Sequence, residues 1–389
     1  MRNCDQQVYL NNAATSFPKP ARVIRAVTEY LQSVPVEPGR TCSGAPWPDM
    51  VASCRSQLAT LLHARSDDNI VFTSGATESI NLAVRGLALE GAHVITTVVE
   101  HNSLLRPLRT LESDGVISLS IVDCDATGYV EPEAILEHIQ PDTRLIAMSH
   151  ASNVTGRIQD IVSIGPIARE HGILSLFDAS QSVGVAPIDL QKLQVDLLAF
   201  TGHKSLWGMP GIGGLYVRDG LYLEPLKTGG TGTHSHLPYQ PEHRPLLYEA
   251  GTLNLPGIVS LAAGIDEILE IGPSALYKRA RQQRQKLLMG FREMPGVTVQ
   301  GSTTPGDDSL PLLSFTVAGH SPEEIGYMLE QSFGVVSRTG LHCAPLIHRA
   351  LGTFPEGTVR LSPSWLTTDE ELAIAIDALQ RITTAGVRV

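Results

Sequence analysis

An α/β fold is predicted for this chain: a large domain on a mainly parallel seven-stranded sheet, followed by a smaller α+β domain toward the C-terminus. Three observations predict it. At 389 residues the chain exceeds what one hydrophobic core usually organises. From residue 69 onward, short β-rich runs alternate with helical stretches, the pattern of strands joined by crossover helices. After about residue 256 the texture changes to a long charged helix and shorter mixed elements.

The strand candidates, in order, are NIVFT (69–73), AHVITTVVE (92–100), VISLSIVD (116–123), RLIAMSH (144–150), ILSLFDA (173–179), VDLLAFT (195–201) and GIGGLYV (211–217). Between them, ESINLAVRGLAL after Thr77, PEAILEHI from Pro132 and IVSIGPIAREHG repeat apolar residues every three or four positions, and Gly172 suits a helix stop. Residues 227–254, rich in Gly, Thr, His and Pro, are too long for an ordinary connection. The smaller domain begins with ALYKRARQQRQKLLMGFREM, continues through VTVQG, LPLLSFTVA, SPEEIGYMLEQ and TVRLSPS, and ends in a helix from about Asp369.

Composition narrows the function. Apolar residues at 42% and charged residues at 18% suit a folded globular chain. No apolar run is long enough for a membrane span, and the start lacks the features of a signal peptide, so a soluble cytoplasmic protein is expected. A net charge of −11 gives no long-range attraction to nucleic acid or anionic lipid. Cys4, Cys42, Cys54, Cys124 and Cys343 form no CxxC pair, which argues for reduced thiols and against a zinc site.

In open parallel sheets, ligands bind beyond the carboxyl ends of the strands. Ser74-Gly75-Ala76-Thr77-Glu78 follows the first strand and can cradle a phosphate on free helix N–H groups. Alone, it reads first as an ordinary turn with Thr77 as N-cap. Other strand ends strengthen the ligand reading: His101, Asn153, Asp178 and Thr201-Gly202-His203-Lys204. A lysine amine that forms an imine, with a carboxylate that keeps a pyridine nitrogen protonated, suits an aldehyde cofactor, and Lys204 and Asp178 fill those roles.

These segments resemble a known family. LNNAAT, SGATESINLA, EHNS, ASNVTG, FDASQSVG, AFTGHKSLWGMPGIGGLYV, EAGTLN and SRTGLHCAPL are similar to the class V aminotransferase branch of fold-type I pyridoxal-phosphate enzymes, specifically the cysteine desulfurases and selenocysteine lyases. The resemblance runs from about Tyr9 to the last helix. It implies a large domain at 15–256 and a small one formed by 1–14 with 257–389. It also implies pyridoxal 5'-phosphate held by Lys204 as a Schiff base, with Ala76, Thr77, Thr201 and His203 at the phosphate and His101 over the ring. Asp178 would meet the ring nitrogen and Gln181 the phenolic oxygen. Thr252 would reach the phosphate of the partner subunit in a homodimer with a shared active site.

The reaction is argued from Cys343, in a loop-like segment Arg338-Thr339-Gly340-Leu341-His342-Cys343-Ala344-Pro345 where an adjacent imidazole and arginine would favour the thiolate. A buried inert cysteine is the alternative. The resemblance gives Cys343 the attack on the substrate sulfur, leaving a persulfide and L-alanine, with Lys204 and His101 moving protons. It places Arg360, Asn153 and Arg338 at the carboxylate of L-cysteine or L-selenocysteine. The short RTGxHCAP segment resembles the group with a compact cysteine loop, which implies a small sulfur-acceptor protein or release to a reductant. Leu341 and the segment 38–44, with Cys42, depart from the family pattern. Selenocysteine lysis, aminotransfer, epimerisation and a non-catalytic sulfur-transfer scaffold are the competing readings.

Overall fold

The computed structural model of the protein describes residues 7–33, 49–304 and 306–385. Cys4, Cys42 and the segment 38–44 lie outside the described residues. The chain begins with β1 (Val8–Tyr9), α1 (Ala21–Gln32) and α2 (Met50–Leu62). A βα alternation follows: β2 (Ile70–Thr73), α3 (Ala76–Gly86), β3 (Ala92–Thr97), α4 (Asn102–Ser113), β4 (Ile117–Val122), α5 (Pro132–Glu137), β5 (Thr143–Ser149), α6 (Ile161–Glu170), β6 (Leu174–Asp178), α7 (Leu190–Leu193), β7 (Leu197–Thr201) and β8 (Gly213–Val217).

These strands form one seven-stranded sheet in the order β2-β8-β7-β6-β5-β3-β4. All neighbours are parallel except β8, which runs antiparallel to both β2 and β7. All seven strand runs read from the sequence fall in this sheet, and the mainly parallel architecture is as expected. Successive side chains alternate between its faces. Phe177 and Leu198 pack in one core with Ile258 and Leu261, while Leu176 and Leu197 pack on the other face with Ile80 and Leu104.

Next come α8 (Leu255–Ile271), α9 (Pro273–Phe291), β9 (Val297–Gln300), β10 (Leu313–Val317), α10 (Pro322–Phe333), β11 (Val335–Val336), β12 (Arg338–Gly340), α11 (Pro345–Ala350), β13 (Thr358–Leu361) and α12 (Asp369–Ala385). An antiparallel sheet of order β12-β13-β10-β9 surrounds a separate core that includes Leu287, Phe291, Phe315 and Leu379. Val8 and Leu10 belong to this core, and β1 pairs in parallel with β11.

Two local expectations are corrected. The boundary at 256 cuts into α8, whose Ile258, Leu261, Ile265 and Ile268 pack in the core of the large sheet. The start of the Cys343 segment is not loop: Arg338–Gly340 is β12, paired with β13 so that Arg338 lies opposite Arg360. The segment 227–254 holds neither helix nor strand.

Candidate active site

The carboxyl ends of β3, β5, β6 and β7 and the start of α3 converge on a cavity of ≈ 330 Å³. Ala76, Thr77, His101, Asn153, Asp178, Gln181, Thr201, His203, Lys204, Arg338 and Arg360 all line it. Cys343 and Thr252 do not. Cys343 is exposed, which removes the buried-cysteine alternative, and it meets the cavity wall through Arg338, whose Nη2 lies 3.7 Å from Sγ. Thr252 is exposed on the irregular segment.

At one end of the cavity α3 starts on Gly75, with φ +151° and no side-chain cap, so Thr77 is not the N-cap. The first N–H groups of a helix have no intrahelical partner and favour an anion. Close packing makes this turn possible: a Cβ on Gly213 would lie 2.6 Å from Gly75 Cα and 2.5 Å from Phe200 O. His203 stands nearby with Nδ1 buried and unpartnered. Burial, with the charges of Lys204 and Lys19, lowers its pKa to about 4, so the ring is neutral.

In the middle, Asp178 is held at the end of β6. Its Oδ1 accepts from the Ser180 N–H at 2.9 Å and its Oδ2 from Ser103 Oγ at 3.4 Å. His101 caps α4: its Nδ1 accepts from the Ser103 N–H at 3.0 Å, which leaves the proton of the neutral ring on Nε2. Burial, then the Lys204 charge, pulls His101 down to about 4. Burial also brings the Lys204 amine down to about 8, against the pull of Asp178, so its uncharged, nucleophilic form is accessible near neutral pH.

The other end is cationic. Arg360 is 1% exposed, donates from Nη1 to Asn153 O at 2.8 Å, and keeps Nε without a partner. Burial, then the neighbouring Arg338, lowers it to about 9. Asn153 Nδ2 donates to His342 O at 2.6 Å, and Cys343 O accepts from the Asn102 N–H at 2.7 Å, so the cysteine turn is tied to the site on both sides. His342 and Cys343 both sit at left-handed φ, 49° and 60°.

The expected help of the adjacent imidazole is corrected here. His342 is 3% exposed, bonded to Thr358 Oγ1 at 3.0 Å, and burial holds its pKa well below the usual range. Arg338 is the cation at the sulfur.

Sequence reasoning missed Glu100, Ser103, Ser149 and Ser180. Glu100 and Ser103 were within reach, since both stand in the EHNS segment, as was Ser180 in FDASQSVG. Glu100 is fully buried, and Thr97 Oγ1 at 2.5 Å and Ser149 Oγ at 2.8 Å bond its carboxyl. Burial pushes its carboxyl up to about 8, so it is a neutral acid behind the site at pH 7.

Comparison with known proteins gives a consistent picture. The chain is 34% identical over 389 residues to a probable cysteine desulfurase of Methanothermobacter thermautotrophicus, covering 97% of this chain and 95% of that one. It is 31% identical to the cysteine desulfurase IscS of Dictyoglomus turgidum, with 97% and 94% covered. Among solved structures, the apo cysteine desulfurase of Thermococcus onnurineus superposes with a TM-score of 0.88 at 28% identity, covering 98% and 96% of the two chains. The cysteine desulfurase CsdA of Escherichia coli gives 0.87 at 27%, with the same coverage. The family model for aminotransferase class-V matches residues 8–374. Since that match runs through all three sheets and every residue of the cavity wall, the chain belongs to the class-V aminotransferase family.

Proposed function

We propose that the chain is a pyridoxal-phosphate-dependent cysteine desulfurase that transfers the sulfur of L-cysteine to Cys343 and releases L-alanine. The observation that carries this reading is an exposed thiol, next to a guanidinium, at the edge of a cavity that also holds a part-neutralised lysine. An aminotransferase has no use for that sulfur. The desulfurase relatives at 34% and 31% identity support the reading.

The family's cofactor is pyridoxal phosphate, and the residues present fit it. The cavity falls in the size range of small-molecule sites, with uncapped helix amides and the free His203 Nδ1 at one end. Ala76, Thr77, Thr201 and His203 would hold the phosphate, Asp178 the ring nitrogen and Gln181 the phenolic oxygen. The bound ring supplies an electron sink for the bond changes at the substrate carbon.

Lys204 would anchor the cofactor and, with its amine free, would carry the substrate α-proton. His101, neutral with Nε2–H, would lie against the cofactor's ring. Arg360, Arg338 and Asn153 bind the carboxylate. Sγ of Cys343 forms a bond to the substrate sulfur as the substrate C–S bond breaks. The carbon keeps that electron pair and takes a proton, so cysteine and thiol become alanine and persulfide with no outside oxidant or reductant.

The exposed position of Thr252 supports a homodimer in which that residue completes the partner's site. The unpaired thiols of Cys54, Cys124 and Cys343 support a reducing, cytoplasmic setting, and the exposure of Cys343 supports transfer of its persulfide sulfur to a small acceptor protein. The test is alanine release from L-cysteine and from L-selenocysteine by wild type and Cys343→Ala. Loss of the cysteine reaction, with the cofactor band near about 420 nm retained, is expected. Unchanged alanine from L-cysteine in the variant rejects the thiol mechanism.

A further inference from the structure

We infer that Lys19 is a positioning residue for Lys204: its ammonium staples shut the loop 202–208 that carries the cofactor lysine. This rests on the reading of Lys204 as that lysine. Lys19 Nζ donates to Gly208 O at 2.6 Å, to Ser16 Oγ at 2.7 Å and to His203 O at 3.1 Å, so all three of its protons are engaged. Two of the acceptors are carbonyls on either side of Lys204, at the two ends of one loop. Within the loop, the Gly208 N–H also donates to Gly202 O at 2.8 Å and the Trp207 N–H to Lys204 O at 3.0 Å.

The loop needs such a tie because Trp207 sits at φ 60°, a left-handed conformation that a bulky residue holds only when its surroundings impose it. The donors converge from one strap. His203 O also accepts from the Ser16 N–H at 3.0 Å and from Thr15 Oγ1 at 3.2 Å. At its other end the strap is tied beyond Arg360: the Ser362 N–H donates to Leu10 O at 2.7 Å, and the Asn12 N–H to Ser362 O at 3.0 Å. Residues 10–19 therefore fix the carboxylate-binding strand and the lysine loop to one another, with Lys19 as the anchor on the lysine side. The ammonium also places positive charge near the neutral His203 ring at the phosphate end, and it is itself held down to about 8 by burial.

The test uses apoprotein, pyridoxal phosphate and borohydride trapping, with the modified lysine mapped by mass. Wild type, Lys19→Met and Lys19→Arg are compared. In Lys19→Met the opened loop exposes Lys204 to water, so its amine returns toward the ordinary lysine range. Capture at pH 7 then slows about tenfold, as a one-unit rise predicts. The pH midpoint of the bound cofactor's visible band rises with it, and Lys19→Arg recovers most of both. Lys19→Met with wild-type capture rate and wild-type band midpoint overturns the inference, even if its melting temperature falls. Should Lys19→Met not fold, Lys19→Gln, whose shorter side chain cannot bridge His203 O and Gly208 O, takes its place. It should slow capture in the same direction, and a wild-type capture rate and band midpoint there also overturn the inference. Capture at Lys204 without alanine from L-cysteine would defeat the desulfurase reading and leave this one standing; no capture at Lys204 would defeat both.

Discussion

Arg338 and Arg360 occupy paired positions on β12 and β13, and among the described residues neither forms an ion pair. Like charges directly opposite in a sheet repel, and a buried cation without a partner is costly. The substrate carboxylate proposed to bind between them would relieve both penalties. Arg360→Lys keeps the charge but loses the planar fork, and a charged hydrogen bond of this kind contributes about 1.5–3 kcal/mol. We expect the KM for L-cysteine to rise by one to two orders of magnitude, with cofactor absorbance unchanged in a spectrophotometric titration. Glu100 gives a pH prediction of the opposite character. Its carboxyl is raised to about 8 when folded, so between the ordinary carboxylate pKa and that value the native state binds a proton that the unfolded chain does not. Stability contributed by this group is present at low pH and lost as pH rises through that window. Glu100→Gln, which preserves shape and cannot ionise, should flatten the fall in the urea midpoint between pH 5 and about 8.

At the scale of elements, the turn from β2 into α3 depends on its neighbour β8. Gly213 is the point of contact, and any side chain there meets backbone on both sides. Gly213→Ala should shift Gly75 and the α3 amides, lowering pyridoxal-phosphate affinity at least tenfold in an equilibrium titration and destabilising the fold by about 1–3 kcal/mol. The seven strand runs and α3, α5 and α6 were legible because period-two and period-3.6 patterns alternate there with turn residues. The candidates at strand ends, the 74–78 turn, His101, Asn153, Asp178 and Thr201–Lys204, followed from them, whereas Gln181 and Thr252 came from the family resemblance. The helix α8 was not legible: its apolar residues surround the axis, because it is buried between α1, α2 and the rest of the core. Nor was β12, a three-residue RTG that is a strand only because β13 lies beside it. The facing of Arg338 and Arg360, and the burial that neutralises His342 while exposing Cys343, are products of that same long-range pairing.

For the whole molecule, the question is how the irregular segment 227–254 can present Thr252 at a fixed place. The answer is a buried bolt. Arg55 of α2 donates from Nη1 and Nη2 to Glu249 at 2.8 and 2.9 Å, and Glu249 also accepts the Phe72 N–H at 2.6 Å on the sheet's edge strand. With side chains 6% and 2% exposed, this pair is out of water. Removing one partner of such a pair strands the other charge, at about 3–5 kcal/mol. Arg55→Met should therefore lower the urea midpoint by an amount of that order. Because Glu249 stands three residues before Thr252, the same change should weaken the proposed homodimer in sedimentation velocity at low micromolar concentration. The double variant Arg55→Met/Glu249→Met removes the stranded charge and should recover part of the stability, though not all, since the Phe72 N–H then lacks its acceptor. If Arg55→Met loses stability but sediments as wild type, the bolt serves the fold alone, and Thr252 is held by something other than the sheet edge.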